Sequence, residues 1–276
     1  MWVQLAGFVG VFAVIALWEI AAPARAARLA RTPRWRANLG LALLNMVLVR
    51  VLLPISALAA AALAADEGWG LLHQVALPGW AAVACAVVLL DLVMYLMHVL
   101  FHAVPALWQL HAVHHADPDF DLTTGVRFHP LQILLAALVK LAAITALGAP
   151  VAGVLIFEVL LSAGSMFTHA NVSLPARVEP WVRALLVTPD MHRVHHSVVV
   201  AEQNSNYGFF LSVWDRALGT YCRAPAGALD IGLDPWRDPR TVATLRGALR
   251  MPFERVAGTE SAGSEIRAKG ARHETS

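Results

Sequence analysis

Histidine is the residue type whose spacing in this chain points most directly to chemistry. Ten of the twelve histidines lie between positions 98 and 196, although charged residues make up only 14% of the chain. One H-x-x-x-H motif and two H-x-x-H-H motifs hold eight of them: His98, His102, His111, His114, His115, His192, His195 and His196. A neutral imidazole is a ligand that suits iron, zinc, copper and nickel. The spacing therefore predicts a metal site.

Helical geometry would bring the histidines of each motif to one face. Residues three or four apart in a helix are neighbours on its surface, and Pro105 is expected to end the helix that carries the first motif. The third motif has Thr188 as an expected N-cap and Pro189 in the first turn. Adjacent residues such as His195 and His196 point about 100° apart. One can therefore serve one ion while its neighbour serves a second.

Two further histidines, His129 and His169, lie at the two ends of an apolar segment and are additional candidate ligands. Each histidine taken alone could equally be a surface or hydrogen-bonded core residue. Eight imidazoles that converge on one membrane face would be costly to bury without a ligand. Because eight to ten donors are too many for one tetrahedral zinc ion, we expect two ions that keep positions open for a small oxidant or water.

The composition is that of a membrane protein. Hydrophobic residues fill 58% of the 276 positions, and the charged fraction lies well below the roughly 25% of soluble domains. The formal net charge is +2, and the basic residues lie in short loops without interleaved aromatics, which gives no support to nucleic-acid binding. Cys85 and Cys222 are far apart, so we expect free thiols rather than a disulfide framework.

Four apolar blocks are long enough to cross a bilayer, which takes about 20 helical residues. The blocks are residues 3–22, 39–65, 80–101 and 131–167. Three are expected to be single spans, and Gly148-Ala149-Pro150 should divide the fourth into a hairpin. The expected fold is an all-α integral membrane bundle, with three single spans, a helical hairpin and a cytoplasmic histidine-rich helical cap.

Arginines indicate the orientation of these spans. The loop 23–38 contains five arginines, whereas the connection after the second span offers only Asp66 and Glu67. By the positive-inside rule the arginine-rich loop is cytoplasmic, which puts the N-terminus outside and both ends of the hairpin inside. The ten candidate histidines would then meet at the cytoplasmic face. The expected organisation is N-terminal spans and the arginine-rich loop in residues 1–75, the site-bearing domain in 76–256, and a disordered tail with His273 in 257–276.

A few other residues in the apolar blocks invite a role. Asp91 could orient a ligand imidazole or belong to a proton path, or it could instead pair with Arg50 of the second span. For Glu158 in the hairpin, a functional role and a structural role are likewise both possible. Four tryptophans are expected at the membrane interfaces: Trp80, Trp108, Trp181 and Trp214.

Together these motifs resemble those of the fatty acid hydroxylase and sterol desaturase superfamily of integral-membrane di-iron oxygenases, and look most like bacterial sterol desaturase family proteins. The resemblance runs from about His98 to Phe253 and is carried by WQLHAVHHADPDFDLTTGVRFHPLQ, THANVSLP, VTPDMHRVHHS and NYGFFLSVWDRALGTY. It implies two iron ions at the cytoplasmic face of a bacterial inner membrane, activation of O2, and insertion of oxygen or a double bond into an unactivated C–H bond of a lipid.

The family's eight-histidine signature falls on the eight histidines of the three motifs, with none missing. His169 resembles an extra histidine that relatives place after the last membrane segment, and His129 matches a common histidine-proline pair, as a ligand or as support for one. Where relatives often carry an acidic residue this chain has Gln132, so a carboxylate function is not expected there. The tail-motif residues are expected to hold the cap together: Asn206, Trp214 and Asp215.

The resemblance leaves the reaction and the lipid open. Hydroxylation and desaturation are both consistent with the residues, and so are sterol, hopanoid, fatty acyl, ether lipid and carotenoid substrates. Since the sequence shows no flavin, haem or ferredoxin motif, electrons are expected from a separate ferredoxin, cytochrome or flavin reductase.

Other classes of metalloprotein fit less well. A zinc protease would need H-E-x-x-H, which does not occur, and a membrane cytochrome needs only paired axial ligands. The strongest alternative is a membrane metal-ion transporter or another histidine-ligated metal-binding protein. A transporter's ligands, however, should lie near the middle of the bilayer.

Overall fold

The computed structural model describes residues 2–254, and regular structure in this range is helical. Seven helices form the larger part: α1 (Trp2–Ala21), α2 (Arg31–Leu52), α3 (Ala57–Asp66), α4 (Gly79–Ala103), α5 (Pro105–His115), α6 (Pro130–Leu147) and α7 (Val151–Thr168). Six short helices follow: α8 (Glu179–Leu185), α9 (Pro189–His195), α10 (Val200–Gln203), α11 (Val213–Ala217), α12 (Pro239–Val242) and α13 (Leu245–Arg250). The predicted all-α fold is confirmed, whereas the predicted disordered tail, with His273, lies outside the described residues.

Four helical stretches are long and apolar enough to cross a membrane: Arg31–His73, Gly79–Ala103, Pro130–Leu147 and Val151–Thr168. A shorter apolar stretch, Gly7–Ala21, lies in α1 and covers most of the first predicted span. Large apolar side chains such as Leu17 and Val51 are more than half exposed, which suits contact with lipid. The protein is therefore an integral membrane protein, as its composition predicts.

The block 39–65, predicted to be a single span, lies within one stretch that could cross a membrane, but this stretch is interrupted. The structure has two helices here, because α2 ends at Leu52 and α3 begins at Ala57. Pro54 cannot donate a backbone hydrogen bond, so the helix cannot continue through it. Ser56 then starts α3 by accepting a hydrogen bond from a backbone N–H in its first turn.

The arginine-rich connection is shorter than the predicted loop 23–38, because α2 already begins at Arg31. One of the arginines used to orient the bundle is not in solvent. Arg34 is buried and forms ion pairs with Asp117 at 2.6 Å and with Asp121 at 2.7 Å. It fastens α2 to the loop after α5, so only the other arginines of this region can contribute to membrane orientation.

The predicted hairpin of α6 and α7 is confirmed. Gly148 ends α6 in the left-handed conformation, with φ +62°, and Pro150 precedes α7. A Cβ on Gly148 would lie 2.3 Å from the backbone oxygen of Trp69, so the turn requires glycine. An ion pair between Lys140 and Glu158, partway along the two helices, shows that they run antiparallel. Both ends of the hairpin therefore lie at one end of the bundle.

The central helix is α4, which packs against α5, α6 and α7. Its apolar side chains and those of the hairpin share one core, which includes Leu90, Met94, Phe101, Ile144 and Phe157. This packing fixes the position of the last two turns of α4, which carry the first histidine motif.

The short helices after α7 form a cap whose loops are held by the tail motif. Asp215 accepts hydrogen bonds from the backbone N–H groups of Tyr207 at 2.7 Å and Gly208 at 3.0 Å. Asn206 donates to two backbone carbonyls of the cap. The expectation that these two residues hold the cap together is confirmed.

Candidate metal centre

Nine of the ten predicted ligands lie in two buried groups. Within each group, one ring nitrogen from every residue lies within 4.8 Å of the others. The five-histidine group contains His98, His102, His111, His115 and His195, and the four-histidine group contains His114, His169, His192 and His196. Motifs that are far apart in the sequence thus meet in one place.

Adjacent histidines are divided between the two groups. His114 and His115 belong to different groups, and so do His195 and His196. The rings of each adjacent pair are nearly perpendicular, at 87° and 80°. Each H-x-x-H-H motif therefore contributes to both groups, as the helical repeat predicts.

Local sequence signals place the helices that carry these residues. α4 ends at Ala103, and α5 begins with Pro105, which needs no backbone hydrogen bond in a first helical turn. Thr188 caps α9 by accepting a hydrogen bond from the Met191 backbone N–H at 3.3 Å. His169 is the C-cap residue, which directly follows the last residue of α7. The predicted break at Pro105 and the predicted cap at Thr188 are both confirmed.

The spacing of ring nitrogens fits shared cations. Nε2 of His98 lies 3.0 Å from Nε2 of His111 and 3.1 Å from Nε2 of His195. Nε2 of His169 lies 3.1 Å from the Nε2 atoms of His114 and His192. With metal–nitrogen bonds of about 2.1 Å, two ligands at a right angle lie roughly 3.0 Å apart. For His98 and His195, whose Nδ1 atoms both face backbone carbonyls, the two Nε2 lone pairs point at each other and would repel without a cation between them.

Burial keeps these imidazoles neutral. It lowers the pKa of each grouped histidine outside the spanning helices well below the ordinary 6.5, and that of His169 to about 3. Within residues 2–254, both ring nitrogens of His115 and His196 and Nε2 of His102 are buried without a hydrogen-bond partner. Buried polar atoms are rarely left unpaired. Bound metal ions would satisfy them, so the donor set fits a metal centre.

Hydrogen bonds to the outer ring nitrogens orient several of the rings. Three Nδ1 atoms donate to backbone carbonyls: His98 to Tyr207 at 2.7 Å, His195 to Ser205 at 2.6 Å and His169 to Ser165 at 2.7 Å. A proton on Nδ1 leaves the lone pair on Nε2, the atom that faces the other rings. Hydrogen bonds of this kind commonly support metal-bound histidines.

Gln132 supports His111 at the position where relatives often carry an acid. The amide nitrogen of its side chain lies 2.9 Å from Nδ1 of His111, and the amide oxygen has no partner among the described residues. When Nε2 of His111 binds a metal, Nδ1 carries the proton. In that state a turn of the Gln132 amide by 180° would bring its oxygen to face Nδ1–H as an acceptor. A neutral amide here replaces a carboxylate as the acceptor.

His129, the tenth predicted ligand, is not brought into either group. Its Nδ1 accepts a hydrogen bond from the Leu131 backbone N–H at 3.3 Å and so caps α6. Its ring lies 5.8 Å from that of Phe253, in the turn after α13. The cap holds the His129 ring at the start of α6, and neither of its ring nitrogens belongs to the two groups.

The acidic residues of the spans support the helices rather than the histidines. Asp91 accepts hydrogen bonds from the Trp214 indole N–H at 2.8 Å and the Leu211 backbone N–H at 3.3 Å. Within the part of the chain that the structure describes, it contacts neither an imidazole nor Arg50. Glu158 pairs with Lys140 across the hairpin.

The four tryptophans expected at the membrane interfaces fall into two classes. Trp80 and Trp181 are 77% and 81% exposed, as an interfacial position requires. Trp214 is instead held by Asp91. The ring of Trp108 lies 4.9 Å from that of His102 and forms part of the wall of the five-histidine group.

A buried ion network beside the site was missed by reasoning from the sequence. Arg34 pairs with Asp117 and Asp121, and Arg127 donates to the side-chain oxygen of Asn38 at 2.7 Å. Asn38 in turn donates to Asp117 at 3.1 Å. The only signal was the spacing of Arg34 and Asn38, one helical turn apart in α2. Nothing in the sequence indicated that these polar groups would face a loop 80 residues away rather than water.

Glu19 in α1 is a second residue that sequence reasoning missed. It is buried and accepts hydrogen bonds from the backbone N–H groups of Leu122 at 2.7 Å and Asn171 at 2.8 Å. Leu122 lies in the loop after α5, and Asn171 lies two residues after His169. One carboxylate thus fastens α1 to two loops that leave the site.

Comparison with known proteins agrees with this geometry. The sequence pattern of the family described as fatty acid hydroxylase matches residues 83–220, half of the chain, which include all nine grouped histidines. No solved structure matches the chain.

Individual relatives match over part of their length. An ornithine lipid hydroxylase of Rhizobium tropici is 31% identical over 66% of this chain and 54% of its own length. Alkylglycerol monooxygenases of Xenopus tropicalis and Homo sapiens are each 30% identical over 46% of this chain and 27% of theirs. The chain thus spans little more than half of the first relative and about a quarter of the others. With the family pattern covering the whole histidine site, the chain belongs to the fatty acid hydroxylase family.

Proposed function

We propose that this protein is a di-iron oxygenase that hydroxylates a membrane lipid, with two iron ions held by nine histidines and O2 as co-substrate. The observation that carries the proposal is the division of nine buried imidazoles into two groups, in a chain of the fatty acid hydroxylase family. Imidazole is a ligand that suits iron. Two groups, each compact enough for one ion, suit a binuclear centre better than a single site.

Bound iron would supply the redox chemistry, in which O2, two electrons and two protons convert a C–H bond to C–OH and release water. The chain's own residues prepare the site for it. Their burial excludes water from the nitrogens, and the Nδ1 hydrogen bonds of His98, His169 and His195 keep Nε2 free. Three of the histidines, His98, His102 and His169, lie at the ends of the spanning helices α4 and α7, so a lipid would reach the site laterally from one leaflet.

The relatives favour hydroxylation over desaturation. One is named a hydroxylase of ornithine lipid and others are named monooxygenases of alkylglycerol. Both names describe oxygenation of a lipid. We infer that this protein likewise oxygenates a polar membrane lipid. Product analysis has to exclude desaturation.

The arginine-rich connection supports a cytoplasmic site. The backbone N–H of Arg25 donates to the Asn171 side chain at 3.0 Å, and that of Arg28 donates to Asp119 at 2.6 Å. Asn171 follows the last turn of α7 and Asp119 follows α5, so this connection lies at the same end of the bundle as the histidines. The positive-inside rule then favours a cytoplasmic site and an external N-terminus. A ferredoxin, cytochrome or flavin reductase could deliver electrons there.

Iron analysis and lipid analysis test the proposal together. Protein produced with ample iron should contain about two irons per chain. His195→Ala and His192→Ala, one from each group, should each lose the iron of that group and all product. His129→Ala is the matched control, because this histidine lies outside both groups, and it should retain iron and activity.

The product is identified by mass spectrometry of lipids from cells that carry the wild-type or a variant chain. We expect a lipid that has gained one oxygen atom in wild-type cells only. A lipid that has lost two hydrogen atoms instead would show that the reaction is a desaturation. Less than one tightly bound iron per chain, or full turnover by His195→Ala, would refute the di-iron proposal. Uptake or export of metal without any lipid product would favour a transporter.

A further inference from the structure

The two groups of histidines are supported unequally. In the five-histidine group, Nδ1 has a hydrogen-bond partner in every imidazole but that of His115. In the four-histidine group only His169 has one, since Nδ1 of His114, His192 and His196 has no hydrogen-bond partner within the described range. The backbone of Asn206 does lie near His192, but without a well-formed hydrogen bond to Nδ1. Hydrogen bonds to the outer nitrogen orient a ligand and raise its basicity. The two groups should therefore differ in metal affinity.

One short segment, residues 204–207 with the sequence NSNY, supplies three of these partners. The contacts are the Asn204 side-chain oxygen to His102 at 3.3 Å, the Ser205 carbonyl to His195 at 2.6 Å and the Tyr207 carbonyl to His98 at 2.7 Å. These histidines come from two helices, α4 and α9. The segment therefore aligns ligands from both helices from their outer side.

Asn206 gives this segment its shape. Among the described residues it is the one non-glycine residue with a positive φ, at +52°, a conformation that asparagine tolerates better than most residues. Its side chain donates to the carbonyls of Met191 at 3.0 Å and Cys222 at 2.8 Å, and accepts from the Cys222 N–H at 2.9 Å. The left-handed turn lies between Ser205 and Tyr207, whose carbonyls both face histidines.

We propose that residues 204–207 make the five-histidine group the tighter of two iron sites, and that Asn206 is the positioning residue on which this difference depends. The inference rests on the proposed function, because it requires both groups to hold iron. The four-histidine group, with a single outer acceptor, releases its ion first. The protein then passes through a one-iron form whenever it loads or loses metal.

Release of iron to a chelator tests this inference without any measurement of turnover. Iron-loaded protein in detergent is mixed with excess ferrozine, and the absorbance of the ferrous complex is followed. The wild type is expected to release iron in two phases of equal amplitude. His192→Ala removes a ligand of the four-histidine group only, so it should abolish the fast phase and keep the slow one.

Variants of the segment identify the cause of the slow phase. Asn206→Ala should accelerate the slow phase about 10–100-fold and change the fast phase much less, because its contacts with the four-histidine group are limited to the backbone near His192. Asn206→Gly keeps the left-handed backbone but loses the side-chain hydrogen bonds, so its rate should fall in between. Asn204→Ala removes only the acceptor of His102 and provides a milder variant should Asn206→Ala fail to fold. The matched control is Asn45→Ala, which removes a buried asparagine that donates to the Phe128 carbonyl at 2.9 Å and should change neither phase.

The possible outcomes separate this inference from the proposed function. Release of both ions in one phase from the wild type would overturn the inference and leave the di-iron proposal standing. Equal acceleration of both phases in Asn206→Ala would also overturn it, because a purely structural role predicts that result. Wild-type protein that binds no iron would overturn the proposed function and the inference with it.

Discussion

Arg34→Met perturbs the ion network that fastens α2 to the loop after α5. The Arg34 guanidinium donates to Asp117 at 2.6 Å, to Asp121 at 2.7 Å and to the backbone carbonyl of Asp119 at 3.1 Å. Burial alone would raise the pKa of Asp117, but Arg34 and Arg127 together hold it below its ordinary value. Methionine fills similar space and leaves two buried carboxylates without this cation.

The expected loss of stability follows from that arrangement. Removing one partner of a buried ion pair costs about 3–5 kcal/mol, because the remaining charge stays buried. Asp117 keeps hydrogen bonds from Asn38 and Thr124, and Asp121 keeps one from Trp35. We therefore expect a loss near the lower end, about 3 kcal/mol. Iron should also be lost from both groups, since Asp117 lies two residues after the end of the histidine motif in α5.

Unfolding in mixed detergent micelles, followed by tryptophan fluorescence, measures the free energy of unfolding, and iron analysis of the folded protein measures retention. Arg36→Met is the matched control, because this arginine is exposed on the same helix and its loss should cost less than about 0.5 kcal/mol. Arg34→Lys keeps the charge but cannot reach three acceptors, so it should fall between. A loss below about 1 kcal/mol in Arg34→Met, which is typical of an exposed ion pair, would refute a role for this network in holding α5.

Three further predictions concern the same molecule. Gln132→Glu should retain iron because it keeps an acceptor for Nδ1 of His111, whereas Gln132→Leu should weaken iron binding about 10-fold or more. Chelator competition measures the iron affinity of both variants. Equal affinity would contradict the role of Gln132 as an acceptor for His111. Lys140→Met should lower the free energy of unfolding more than the double variant Lys140→Met/Glu158→Met does, because the single change leaves an unpaired charge between two spans. Unfolding of both variants in mixed micelles measures this difference. Protons compete with metal for imidazole nitrogen, but burial lowers the pKa of the grouped histidines outside the spanning helices well below 6.5. The iron content of protein equilibrated at different pH values should therefore stay constant through about pH 6.5 and fall only at lower pH. Loss of iron already at neutral pH would contradict buried histidine ligands.

Much of the site could be predicted because its determinants are local. The H-x-x-H-H spacing fixes which rings share a helix face, and Thr188 and Pro105 mark helix starts through contacts within one turn. The division of His195 from His196 follows from the same helical repeat. Hydropathy and Gly148 likewise located the spans and the hairpin turn, although Pro54 was overlooked inside a long apolar block.

The remaining features depend on which distant segments meet. His129 and His169 both flank the hairpin, yet only His169 joins a group, whereas His129 caps α6 outside both groups. Sequence spacing could not distinguish them. It could not pair Glu19 with Asn171 either, since that hydrogen bond joins residues 152 positions apart.

The amino-acid sequence by itself determined that this is a helical membrane protein with a histidine-rich metal site, because hydropathy and helical periodicity are properties of neighbouring residues. Tertiary structure decided which histidines of different helices share a group, and which of them receive acceptors from residues 204–207. Those contacts arise only when α4, α5, α7 and α9 pack together. Their geometry depends on the whole bundle, which no short stretch of sequence specifies.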